Sequence, residues 1–142
     1  MSLQITLTVD IVVFDADNVL LIQRRKPPYE SRWALPGGKV EEADLTLEDA
    51  ANRELKEEAG IVLDEIIQIG TFGDIGRDPR PGRWVSIAFL AIVGGTAPKM
   101  EAGGDAADAR WFPLNNLPAL AFDHAKIIAV ALKKIKTETI FE

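Results

Sequence analysis

A chain of 142 residues, 47% hydrophobic and 27% charged, has the composition of an average soluble domain, and its length predicts one domain over residues 1–142. With no cysteine and one histidine, it excludes a disulfide framework, thiolate catalysis and a multi-histidine or cysteine-based metal centre within one chain. Any bound metal must take mainly oxygen ligands, which favours Mg²⁺, Mn²⁺ or Ca²⁺. The formal net charge of −6 argues against nonspecific duplex DNA binding, which needs many Lys and Arg contacts to phosphates. It leaves a small phosphorylated ligand open, because a metal reverses the local field. The apolar run Ile87 to Val93 is far short of the ~20 residues of a membrane helix. No Lys or Arg precedes Asp10, which interrupts the first apolar stretch, so the N-terminus does not read as a signal peptide. The expectation is a cytoplasmic protein with no membrane or nucleic-acid partner.

In chain order, Thr6 to Phe14 is rich in β-branched residues and predicts a strand. Asp15 to Asn18 is a turn cluster, and Val19 to Arg24 a second strand, so the two form a hairpin. Lys26 to Arg32 is a loop, and Pro36-Gly37-Gly38 a strong turn. Thr46, with Asp49 three residues on, resembles a capping box with a short acid. Leu47, Ala51, Leu55 and Ala59 then supply an apolar helical stripe that Gly60 stops. Strands are expected over Ile61 to Thr71, Trp84 to Val93 and Ala109 to Phe112, with loops Gly73 to Gly82 and Gly94 to Gly104 between them. Asp123 is placed to cap a last helix whose Ile127, Ile128, Ala131, Leu132 and Ile135 face inward. Strands alternating with two helices predict an α/β or α+β domain with a mixed β-sheet between helices.

The chemistry lies in Arg53-Glu54-Leu55-Lys56-Glu57-Glu58-Ala59-Gly60-Ile61. Helical spacing puts Glu54, Glu57 and Glu58 on one side of the helix. On charge pattern alone this is either a solvated acidic face or a carboxylate cluster held for divalent cations. The Gly-Gly turn just before the helix favours the second, since it offers backbone carbonyls.

The stretch from Gly38 through Arg53 to Ile61 resembles the signature box of the Nudix hydrolases, G-x₅-E-x₇-R-E-U-x-E-E-x-G-U with U aliphatic. The second half matches at every specified position. The first half is one residue longer than the pattern, with Asp44 in the Glu slot counted from Gly38 and one inserted residue before Thr46. Trp33 to Gly38 and Asp105 to Trp111 also match family segments, so the resemblance covers nearly the whole chain. Arg77-Asp78-Pro79-Arg80 and Leu120 to His124 resemble the ADP-ribose pyrophosphatases of the family and its regulators of NAD metabolism.

The resemblance implies the Nudix fold, an α/β/α sandwich, and hydrolysis that depends on Mg²⁺ or Mn²⁺. It implies Glu57 and Glu58 as principal metal ligands, Glu54 as a ligand that also orients or deprotonates water, and the Gly38 carbonyl as a further ligand. Arg53 would fix a helix carboxylate, and Asp105 is a candidate base on a later loop. Arg77 and Arg80 are candidate phosphate or ribose contacts, since guanidinium groups chelate phosphate oxygens; the alternative is a loop-stabilising role. Arg24 and Trp33 are further nucleotide-contact candidates, and Trp33 and Trp84 read equally as core or interface residues. His124 reads as a helix-start or packing residue. The implied substrate is a nucleoside diphosphate linked to another group, foremost ADP-ribose giving AMP and ribose 5-phosphate, and the implied assembly a homodimer. The rivals are a nucleoside triphosphate pyrophosphohydrolase, oxidised nucleotides included, and a non-catalytic ADP-ribose sensor. Regulatory relatives carry an added winged-helix domain, for which the chain is expected to have no room.

Overall fold

Strand β1, Ile5–Asp15, is apolar on both faces, and its alternation sets the architecture. Val9, Ile11 and Val13 pack with Ala50, Ala51, Leu55 and Ala59 of helix α1, Leu47–Ala59. Val12 and Phe14 pack with Ile127, Ile128 and Ala131 of helix α2, His124–Thr137. A strand that buries both faces must lie inside a sheet covered on both sides, so the α/β/α sandwich follows. The computed structural model describes residues 2–94 and 99–137.

The remaining strands are β2 (Asn18–Arg24), β3 (Trp33–Ala34), β4 (Gly37–Lys39), β5 (Ile67–Phe72), β6 (Arg83–Val93) and β7 (Ala106–Pro113). They build one mixed seven-stranded sheet along the path β3-β2-β1-β6-β5, with β4 also on β1 and β7 also on β2. One edge of β1 is taken over its whole length by β6, in parallel, from Ile5↔Arg83 to Asp15↔Val93. The other edge is shared. The expected hairpin pairs β1 with β2 only at Phe14↔Val19 and Asp15↔Asn18. β4 takes Thr8 to Asp10, which brings Gly37 and Gly38 onto the centre of the sheet. Among the described residues, no helix is long and apolar enough to cross a membrane.

Helix α1 begins and ends where its residues dictate. Thr46 Oγ1 accepts the Asp49 N–H at 3.0 Å, and Gly60 closes the helix with a φ of 73°. The strand expected from Ile61 starts six residues later, at Ile67. Ile61 is instead the apolar residue after the helix cap and packs against the α1-side core. The strand expected over Ala109 to Phe112 extends to Ala106–Pro113, because β2 offers it an unpaired edge. Trp33 to Lys39, expected as a lead-in and turn, carries two short strands. Residues 95–98 of the loop expected over Gly94 to Gly104 lie outside the described residues. Asp123 stands before α2 as expected, with its carbonyl accepting from Ile127, but its carboxylate is taken by Arg77.

Candidate active site

Helix α1 sets two carboxylates, Glu54 and Glu58, against β4. Glu58 is 5% exposed and Glu54 9%, so the solvated-face reading fails for both. Glu57 is half-exposed. Glu54 packs directly on Gly38, where a Cβ would overlap its carboxylate and push it aside. The Gly37 N–H donates to Glu58 Oε1 at 2.7 Å. A Cβ on Gly37 would overlap Val9 O and lie 2.5 Å from Asp10 Oδ1. The two glycines therefore let the turn sit between the buried strand and the helix carboxylates.

Arg53 ties the box together. Its Nε and Nη2 donate to the two oxygens of Asp44, each at 2.9 Å. Nη2 also donates to Lys39 O at 2.9 Å, and Nη1 reaches Glu54 at 2.9 Å and Glu57 at 3.4 Å. Asp44, despite the extra residue in the loop, therefore meets Arg53 as a bidentate partner. The hydrogen bonds from Arg53, helped by the Glu41 N–H, hold the Asp44 carboxyl down to about 2. A carboxyl whose folded pKa lies below its unfolded value near 3.9 adds stability above that value and loses it as pH falls through the folded one. Wild-type melting temperature should thus fall more steeply between about pH 4 and 2 than that of Asp44→Asn, followed by circular dichroism. Equal slopes would remove Asp44 as the source of the acid lability.

The opposite wall of the cleft is cationic. Arg24 on β2 and Arg80 on the loop between β5 and β6 both line it, with Asp78 and Phe122. Arg80 lies 3.6 Å over the Trp84 ring, and its Nε and Nη2 donate to Asp78 at 3.0 and 2.6 Å. Burial opposes ionisation of Asp78, but the Arg80 bonds outweigh it and hold its carboxyl below the usual range. Burial, then the Arg80 charge, lowers the Arg24 pKa, while Glu58 across the cleft raises it.

Beneath both walls runs a buried polar network. Asp10 Oδ2 accepts from Ser86 Oγ at 2.5 Å, and Oδ1 stands 3.4 Å from His124 Nε2. His124 Nδ1 accepts the Leu35 N–H at 2.9 Å, so the neutral ring carries its proton on Nε2, facing Asp10. Burial pushes the Asp10 carboxyl up and the His124 pKa down; each group's charge opposes the other's shift. Arg77, whose side chain is buried, donates to Asp123 at 3.0 and 2.7 Å.

The donor chemistry fits a hard divalent cation. Glu54, Glu57, Glu58 and the Gly38 carbonyl offer oxygen alone. Burial pushes the Glu58 carboxyl well above the usual range; the Gly37 N–H opposes this, and the charges of Glu54, Asp10 and Asp105 add to it. A cation would relieve that cost. Among the described residues, no three acidic or imidazole groups stand close enough to chelate an ion as placed. The reason is local: Glu54 and Glu57 both turn to Arg53. Rotation about their side-chain bonds is what would bring them beside Glu58.

The structure brings most of the expected residues to one cleft. Glu58 and Gly38 line it together with Arg24 and Arg80, while Glu54 packs on Gly38 and accepts from Arg53, which also reaches Glu57. Asp105 lies on the rim, largely exposed, 3.4 Å from Lys26 Nζ. Arg77 lies at the floor with its guanidinium committed to Asp123. Trp33 is elsewhere: its ring packs edge-on against Phe112 at 4.7 Å and joins the α2-side core, where it cannot stack on a ligand in the cleft. Arg83 closes the base of its loop by donating to Gly73 O at 2.9 Å. Asp10 was not anticipated as a site residue. Its signal was available, a carboxylate in the middle of a strand, flanked by the apolar Val9 and Ile11 to Phe14.

The profile of the NUDIX domain family matches residues 4–131. An ADP-ribose pyrophosphatase of Methanocaldococcus jannaschii is 45% identical over 121 residues, which are 84% of this chain and 69% of that protein. The NUDIX domain of Shewanella oneidensis NrtR, solved in complex with ADP ribose, superposes with a TM-score of 0.86 at 33% identity, over 93% of this chain and 89% of that one. A bifunctional NMN adenylyltransferase/ADP ribose pyrophosphatase from Francisella tularensis, solved with AMP and a Mn ion, superposes at 0.82 with 31% identity. That match covers 94% of this chain but 42% of the bifunctional one. The Gly38–Glu54 packing, the Arg53 hub and the family profile agree: the chain belongs to the NUDIX domain family.

Proposed function

We propose that the chain hydrolyses the pyrophosphate link of a nucleoside diphosphate derivative with Mg²⁺ or Mn²⁺, and that ADP-ribose, cleaved to AMP and ribose 5-phosphate, is its preferred substrate. One observation carries the reading: the buried Glu58 of α1 lines the same cleft as Arg24 and Arg80. That is the charge pattern for a polyphosphate bridged to a cation. The 45% identical ADP-ribose pyrophosphatase supports the choice of substrate.

Glu54, Glu57, Glu58 and the Gly38 carbonyl would hold the ion. When bound, it would supply Lewis acidity, lowering the pKa of an attacking water and neutralising phosphate charge. Arg53 sets the directions of Glu54 and Glu57. Arg24 and Arg80 bind phosphate oxygens and neutralise phosphate charge in the bound substrate as in the transition state. Asp105, on the rim within the same cleft, is the candidate to accept the proton of the attacking water. A homodimer in the cytoplasm completes the reading, its assembly checked by sedimentation equilibrium.

The test is a panel of kcat/KM values with Mg²⁺ and with Mn²⁺, and an EDTA control. A cleft that pairs its polar groups with the terminal ribose of ADP-ribose would disfavour triphosphates, which lack that sugar and leave those groups unpaired. ADP-ribose should therefore exceed ATP, dGTP and 8-oxo-dGTP by at least about tenfold, or ~1.4 kcal/mol of transition-state binding. A better triphosphate would replace the substrate and keep the metal site. The ADP-ribose complex of the NrtR domain favours a second reading, a sensor that binds ADP-ribose without cleaving it. Arg53, Glu54, Glu57 and Glu58 are all in place here, which supports the enzyme. ADP-ribose binding with no turnover in either metal would favour the sensor.

A further inference from the structure

Phe122 is held at a φ of 51°, in the left-handed region. A bulky side chain stays there only when its surroundings over-determine it, and such residues gather at functional sites. Its surroundings here are cationic and aromatic. The ring centroid is 4.9 Å from Arg24 Cζ and 5.6 Å from Arg80 Cζ. Tyr29 meets the ring edge-on at 4.9 Å, and His124 lies 5.3 Å away. The two guanidinium groups come from separate elements, β2 and the loop before β6, and carry like charge. Each is fastened from behind. Arg24 Nε donates to Pro28 O at 2.7 Å, while Arg80 spends Nε and Nη2 on Asp78. Among the described residues, the terminal nitrogens of Arg24 and Nη1 of Arg80 have no hydrogen-bond partner, so these donors remain for a ligand. The negative face of an aromatic ring attracts cations and offsets the repulsion between them.

Resting on the reading that the substrate is a pyrophosphate, we propose that Phe122 is a positioning residue whose ring holds Arg24 and Arg80 together as a clamp for the substrate phosphate farther from the helix carboxylates. A clamp assembled in advance binds without the cost of gathering two mobile cations at the moment of association. The backbone strain at Phe122 is the mark of that assembly, since glycine or asparagine would sit at this φ with less of it.

Phe122→Leu keeps apolar bulk and removes the ring, and Phe122→Tyr keeps the ring. Phe122→Leu should raise KM for ADP-ribose about tenfold with kcat within about twofold, the scale of losing two cation–ring contacts. Its affinity for ADP-ribose in EDTA, by calorimetry, should fall by a similar factor, and Phe122→Tyr should recover most of both. In an Arg80→Ala background the Phe122→Leu step should cost clearly less, since half of what the ring holds is gone. Melting curves show whether each variant is folded. Unchanged KM and affinity in folded Phe122→Leu, a loss confined to kcat, or full additivity with Arg80→Ala would each overturn the proposal. If the wild type cleaves and binds no ADP-ribose, the substrate reading is what fails. The same comparison is then made on dGTP, whose phosphates present the same charge to the clamp.

Discussion

Glu58→Gln should lower kcat at least about a hundredfold, the scale on which losing one preorganised electrostatic element is felt. The same change should leave the metal-free protein as stable as wild type, or more so, at neutral pH and above. The two effects have one cause. Burial raises the Glu58 carboxyl pKa, with neighbouring carboxylates adding to it. A group whose folded pKa lies above its unfolded value costs stability as pH climbs past the unfolded value, because the unfolded chain gives up the proton first. Glutamine removes that cost and keeps an oxygen to accept the Gly37 N–H. It also removes the charge that would hold a cation. Glu57→Gln should lose activity on the same scale without the gain in stability, because Glu57 is half-exposed. Initial rates with Mg²⁺ and Mn²⁺, and melting temperatures in EDTA over about pH 5 to 9, check both halves. Wild-type rates in either variant, or full turnover in EDTA, would remove the helix as the metal site.

What could be read ahead of the structure was what is local in sequence. Helix α1, its Thr46 cap and its Gly60 stop lie within fifteen consecutive residues, and periodicity finds them. The sandwich was legible too, from strands alternating with two helices that each carry an apolar stripe. The cleft floor was not. Asp10 meets Ser86 across 76 positions, and Leu35 meets His124 across 89, and no local pattern links either pair. Arg77 and Arg80 looked equivalent in sequence, three residues apart. Their partners separate them: Asp123, 46 positions on, takes Arg77 at the floor, and Asp78, two positions back, clamps Arg80 in the cleft. Trp33 lies three residues before a turn that enters the site, and still its ring goes to the core. At β3 side chains alternate between faces, and Trp33 falls on the α2 side. Proximity in sequence to a site residue is therefore weak guidance within a strand, where one step reverses the side-chain direction.

Arg53→Lys should lower kcat about a hundredfold although the charge is kept. Arg53 spans partners that no ammonium can reach together. Nε and Nη2 hold both oxygens of Asp44, Nη2 also holds Lys39 O, and Nη1 serves Glu54 and Glu57. The fork thus fixes the loop between β4 and α1 and, on its other side, the two carboxylates that would meet the ion. Lysine supplies one compact charge on a flexible stem, so it can satisfy Asp44 or Glu54 but not both. Misplacing a reacting group by about 1 Å costs on the order of a hundredfold, which sets the expected loss. Arg53→Ala separates geometry from charge. It frees Glu54 and Glu57 from a competing cation, so half-saturation with Mn²⁺ should come at lower metal concentration even as kcat falls. Lysine should show the loss in kcat without that gain in metal affinity. Both are read from rates against Mn²⁺ concentration at saturating substrate. A lysine variant within about threefold of the wild-type kcat would show that positive charge at this position suffices, and that the two-sided fork is not what orders the carboxylates.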